Sequence, residues 1–183
     1  IPFCLVFYDT KLIEVQLSVK NLNGGCYAAV KFIKSVGSIK KIDISNVYGD
    51  ALKTKLSKIN FDNIIIKEVE DDCIDFETGN YIINDMKLSN CWDKSIQLRN
   101  KSFLYVKNLQ VEDSLYGPTI MNSSSLIGDN FNINSNRECL VAYRENNEYY
   151  GSKINIKNEL NCSKNKFYSQ EGSTITYKDV IQN

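Results

Sequence analysis

Apolar residues along the chain alternate with polar ones at period two, in short bursts. Leu52-x-Thr54-x-Leu56, Ile59-x-Phe61 and Ile64-x-Ile66 form one set, and Ile74-x-Phe76, Tyr81-x-Ile83 and Met86-x-Leu88 form the next. Period two predicts strands with one buried face, and turn-forming residues separate the bursts. The bursts also recur. Val30, Leu52, Ile74 and Ile96 are spaced by 22 residues, as are Ile39, Phe61, Ile83 and Tyr105. Ile42, Ile64 and Met86, then Ile44, Ile66 and Leu88, then Val47, Val69 and Cys91 keep the same spacing. Three short strands per repeat predict an all-β solenoid, a right-handed parallel β-helix with triangular coils. A single coil cannot bury its inward side chains, but neighbours about 4.8 Å away close over them. One column stays small, through Ala29, Ala51, Cys73, Ser95, Thr119 and Cys139, as a tight corner requires.

The spacing drifts after Tyr105, to Ile120 and then Leu140, and an insertion is expected near Asn146-Asn147-Glu148. The first coil reads a few residues long. Phe3 to Leu17 and Tyr177 to Asn183 are expected to cover the open ends of the stack. A leucine-rich repeat has a compatible length, but the segment that should return as a helix runs straight into Ile64-Ile65-Ile66.

Composition narrows the chemistry. The 183 residues fit one domain spanning 1–183. The opening Ile1-Pro2-Phe3 carries no initiator Met, so a fragment of a longer chain is expected. With 22 basic and 22 acidic residues the net charge is zero, which gives no electrostatic reason to expect nucleic acid as a partner. No apolar run is long enough for a membrane span. Histidine is absent, which removes Ser-His-Asp and Cys-His nucleophile sites and His-ligated zinc. No phosphate-binding loop, dinucleotide fingerprint or EF-hand is present, so no cofactor is expected.

Laid out as coils, Gly49-Asp50-Ala51-Leu52, Asp72-Cys73-Ile74-Asp75-Phe76, Asp93-Lys94-Ser95-Ile96, Tyr149-Tyr150-Gly151 and Glu171-Gly172-Ser173-Thr174-Ile175 follow one another in order. In these signatures the chain resembles the right-handed parallel β-helix domain of bacterial surface and secreted proteins. In particular it resembles the version often found C-terminal to spore-coat-H-like or lamin-tail-like modules. The resemblance implies an extracellular or cell-surface module and carries over no catalytic residues.

The candidate chemistry is acidic. Asp50, Asp71, Asp72, Asp75, Glu77 and Asp93 fall close together in the coil alignment, with Lys94 and Trp92 beside them. In many β-helix enzymes stacked carboxylates bind calcium or serve as acid and base on polysaccharides. Asp71, Asp72, Asp75, Asp93, Lys94 and Trp92 are therefore the candidate binding residues, with no catalytic or metal site assigned. Against catalysis, Lys53, Asp75 and Gln97 form one outward column and Lys55, Glu77 and Arg99 the next. Such mixed columns read as cross-coil ion pairs. Of the six cysteines, only Cys4 and Cys26 share neighbouring positions in one column, so the other four are expected as buried thiols. The leading expectation is a non-catalytic scaffold or interaction module, partnered by other modules or subunits. The alternative is a carbohydrate-active or glycan-binding module, a polysaccharide lyase or glycoside hydrolase if catalytic.

Overall fold

The structure is a computed structural model that describes residues 4–22, 25–164, 166–170 and 172–182. Short strands, among them Ala28–Ile33, Asp50–Lys55, Ile74–Glu77 and Ile96–Arg99, alternate with long ones, among them Val36–Val47, Lys58–Val69, Asn80–Cys91 and Phe103–Ser114. The short strands pair in parallel into an eight-stranded sheet, and the long ones, joined by Thr174–Tyr177 and the antiparallel Val180–Ile181, make up a nine-stranded sheet. Successive partners such as Leu52, Ile74 and Ile96 are one coil apart in sequence, which defines a parallel β-helix. No helix occurs among the described residues.

Each long strand comprises two of the expected faces. In Lys58–Val69 the buried positions are Ile59 and Phe61, then Ile64, Ile66 and Val69, so alternation breaks before the corner at Val69 and also in mid-strand. At the mid-strand break the sheet pairing skips Lys40, Asp62, Asn84, Lys107 and Asp129, which lie at a bend. The other two corners use left-handed backbone: Lys34, Leu56 and Thr78 at one, and Asn46, Glu68 and Asn90 at the other, all with positive φ. Leu56 is consequently turned outward and is 48% exposed, although the alternation placed it in the core.

Three positions assigned from sequence shift. Asn100 and Lys101 both adopt positive φ and add one residue to their coil, so Ile83 pairs with Val106, and Tyr105 pairs with Ile82 on the outer face. Ile120 pairs with Leu98 rather than following Ile96. In that register Gly117, not Thr119, stands between Ser95 and Cys139 in the small column. A Cβ on Gly117 would collide with the Cys139 carbonyl. The spacing of 22 thus persists beyond Tyr105 in the short strands, and the larger insertion falls between Tyr143 and Lys153, as expected.

The core is a set of ladders. Val30, Leu52, Ile74 and Ile96 are fully buried, and the rings of Phe76 and Tyr81 stack at 4.2 Å. A second ladder, not read from the sequence, is polar. At one corner the Ser35, Ser102, Ser124 and Ser152 amides donate to the hydroxyls of Ser57, Ser124, Ser152 and Ser173 one coil on, at 2.9–3.3 Å. Gly79 donates its amide to Ser102 in the same way but offers no hydroxyl of its own, because a Cβ there would meet the Tyr81 hydroxyl and the Ser57 carbonyl. Each bond satisfies a buried amide that the turn leaves without a sheet partner.

All six cysteines are bonded, which corrects the expectation of four free thiols. Cys4–Cys26 forms between neighbouring coils, as the spacing suggested. Cys73–Cys91 and Cys139–Cys162 join different columns, with Cα atoms 5.5 and 5.9 Å apart. In each pair one cysteine sits just before a short strand and the other ends the following long strand, so the bridge closes a coil on itself. Comparing distances only within columns could not reveal such pairs.

At the C-terminal end Val180–Ile181 folds back antiparallel on Thr176 and Tyr177, covering the last parallel edge within the expected cap. At the other end Leu5–Tyr8 and Lys11–Leu22 form a coil of their own rather than a separate cap, and Phe3 lies outside the described residues.

Candidate functional site

The outer face of the short-strand sheet collects most of the sequence candidates. Three outward columns run along it: Asp50, Asp72, Lys94, Tyr116 and Glu138 at one corner; Lys53, Asp75, Gln97, Thr119 and Val141 in the middle; Lys55, Glu77, Arg99, Met121 and Tyr143 beyond. The first half of this face is charged and the second half hollow.

In the charged half every buried carboxylate has partners. Arg99 donates from Nε and Nη2 to the two oxygens of Asp75 at 3.0 and 2.9 Å, and Lys53 Nζ lies 3.2 Å from the same group. Asp75 points away from the core, as the alternation required, yet it is only 3% exposed because these cations cover it. Lys55 and Arg99 flank Glu77 at 3.0 and 3.5 Å, so the predicted alternation of sign along that column is present. Asp50 pairs with Lys53 and accepts the Asp72 amide at 3.1 Å. Asp72 in turn accepts the Lys94 amide at 3.0 Å and the Gln97 side-chain amide at 2.6 Å. These two aspartates therefore serve as acceptors for backbone amides of successive coils, a role that ties coil to coil.

Burial pushes the Asp72 carboxyl up to about 7, against the opposing pull of Lys94, and pushes Asp50 up to about 6, against Lys53. Hydrogen bonding to Asp75, opposed by burial, raises the Arg99 guanidinium further. Asp50, Asp71 and Asp72 each bring an oxygen within 4.8 Å of the others, the donor type a hard cation takes. Two of the three are already occupied as described, and only Asp71 is exposed.

Asp93 and Lys94 stand at the boundary between the halves. Beyond them Thr119 and Val141 follow Lys53, Asp75 and Gln97 in the middle column, beside a groove of about 430 Å³. Tyr116 and Glu138 wall it on one side, Tyr143 on the other, and Tyr168 closes its far end. Thr119 and Val141 point outward and form its floor, with only 3% and 7% of their surface exposed. Arg137 lies over the Tyr116 ring at 5.4 Å and donates to its hydroxyl. Burial raises the Tyr143 hydroxyl, as does Glu145, while Lys94 acts in the opposite direction.

Trp92 does not join this face. It is 70% exposed on another corner, and it lines a separate cleft of about 620 Å³ with Tyr48, Glu68 and Glu70. The structure thus brings Asp72, Asp93 and Lys94 together, sets Asp75 beside them, leaves Asp71 exposed at the corner and separates Trp92. Sequence reasoning missed Tyr116, Glu138, Tyr143 and Tyr168. Tyr116 and Glu138 continue the spacing of 22 from Asp72 and Lys94, so the unbroken register would have found them.

The fold and this face define a disulfide-bonded parallel β-solenoid with a charge-paired sheet surface. No protein-family model matches the chain, and no curated protein or solved structure matches it significantly.

Proposed function

We propose that the chain is a non-catalytic module of a larger surface or extracellular protein, a rigid scaffold that presents an interaction face to other modules or subunits. It would then serve as the β-helix domains of bacterial surface proteins do. The observation that carries this reading is the occupancy of the acidic face. Asp50, Asp72 and Asp75, where a polysaccharide-cleaving solenoid would need free acids and bases, are held by Lys53, by backbone amides and by Arg99. A general acid or base must reach a substrate proton, and these groups are committed to neighbouring coils. Three disulfides suit an oxidising environment, which supports an extracellular location. Among the described residues no helix is long and apolar enough to cross a membrane.

Incubation of the oxidised chain with neutral and uronic-acid polysaccharides, with and without calcium, tests the reading. No release of reducing ends and no unsaturated product is expected. Cleavage that disappears in Asp72→Asn or Asp75→Asn would overturn it.

A further inference from the structure

We infer that the groove floored by Thr119 and Val141 binds a short stretch of neutral glycan, which rests on the interaction-module reading and supplies its ligand. The hollow exists because the middle column changes character: Lys53, Asp75 and Gln97 fill the earlier coils, whereas short Thr119 and Val141 leave space in the next two. Aromatic rings bound that space. Tyr143 stands at the side and Tyr168, 51% exposed, at the end, offering apolar faces with polar tips. Hydrogen-bonding groups of both kinds converge on the same space: the Glu138 carboxylate accepts, the tyrosine hydroxyls donate and accept, and Asp93 and Lys94, already paired with each other, add what capacity that ion pair leaves. Apolar faces edged by donors and acceptors match a pyranose ring, whose C–H face stacks while its hydroxyls both give and accept. The groove also runs along the solenoid axis from Lys94 to Tyr168. It covers about three steps of roughly 4.8 Å, room for more than one sugar ring.

Charge selects among ligands. Glu138 on the wall disfavours a uronic acid or sulfated sugar, while Asp93 is neutralised by its ion pair with Lys94. Arg137, already stacked on Tyr116, and Lys94, held by Asp72 and Asp93, occupy the places that the alternative ligand of an aromatic site, a partner's lysine side chain, would take. A neutral sugar avoids both conflicts.

Calorimetric titration of the oxidised chain with short glucose, galactose and N-acetylglucosamine oligomers tests the inference, with galacturonate oligomers and a lysine-rich peptide alongside. At least one neutral oligomer is expected to bind. Tyr168→Ala should weaken binding about tenfold, the worth of one ring stacked on the ligand. Val141→Phe should fill the hollow and abolish binding. Tyr48→Ala, in the separate cleft beside Trp92, should change nothing, and circular dichroism should show all three variants folded. Failure of every neutral oligomer to bind, preference for galacturonate or the peptide, or binding indifferent to both groove variants would overturn the inference. Absent binding leaves the scaffold reading standing, whereas product release in the cleavage assay defeats that reading without touching the groove.

Discussion

Ile74→Asp is expected to leave no folded protein. Ile74 is fully buried, pairs with Leu52 on one side and Ile96 on the other, and belongs to the best-kept ladder in the core. A carboxylate there loses its water and gains no cation, since the charged groups of that strand all project from the opposite face. An unpaired buried charge costs several kcal/mol even after relaxation, on the order of the whole stability of a domain, about 5–15 kcal/mol. The damage also spreads, because each coil forms the lid of the next. Loss of the far-UV β signal and of protease resistance would report it. Ile82→Asp supplies the contrast: Ile82 is 44% exposed beside the inward Ile83, so its substitution should shift stability by no more than about 0.5 kcal/mol. A normally melting Ile74→Asp would mean that the strand faces are misassigned.

Removal of the central bridge is expected to be the next largest loss. Cys73 and Cys91 are separated by 18 residues and are both fully buried. Cross-linking a loop of this size stabilises by about 3 kcal/mol in the chain-entropy account, chiefly by restricting the unfolded chain. Cys73→Ala/Cys91→Ala keeps small apolar groups in both ladders, so most of the change should reflect the lost link. Equilibrium unfolding in denaturant should show a drop of about 2–4 kcal/mol, and reductant should bring the wild type toward the variant. Alkylation of the untreated chain, followed by mass spectrometry, should modify no cysteine. Modified Cys73 or Cys91 would contradict the pairing.

The legible and illegible parts of this molecule differ for physical reasons. Strand alternation and the spacing of 22 are read directly from Val30, Leu52, Ile74 and Ile96, because stacked inward positions meet one demand, apolar bulk. Corners are harder to place, since any of several polar residues can take the left-handed backbone. One extra corner residue at Asn100-Lys101 moved Tyr105 out of the core, while the groove columns kept the spacing of 22 where the sequence was read as drifting. The disulfides escaped because pairing by column ignores the corner, where the end of a coil returns beside its own start. The acidic face was legible as a cluster with mixed columns. What it does was not, because burial of Asp75 depends on how far Arg99 and Lys53 reach across the coils. Trp92 adjoins Asp93 in sequence but faces another side of the solenoid, a separation that only the turn geometry decides.

The central claim is that the outward carboxylates hold coils together rather than perform chemistry, and a double-mutant cycle on Asp75 and Arg99 tests it most directly. Asp75→Leu leaves Arg99 with only Glu77, and Arg99→Met leaves a buried carboxylate with only Lys53. Each single change should cost about 2–3 kcal/mol, because Arg99→Met strands the buried Asp75 and Asp75→Leu leaves the half-buried Arg99 and Lys53 without their shared carboxylate. The double variant should recover part of that loss, giving a coupling of about 1–2 kcal/mol in equilibrium unfolding. Additive effects, with Asp75→Leu as stable as wild type, would show a carboxylate that the fold does not need and would contradict the account.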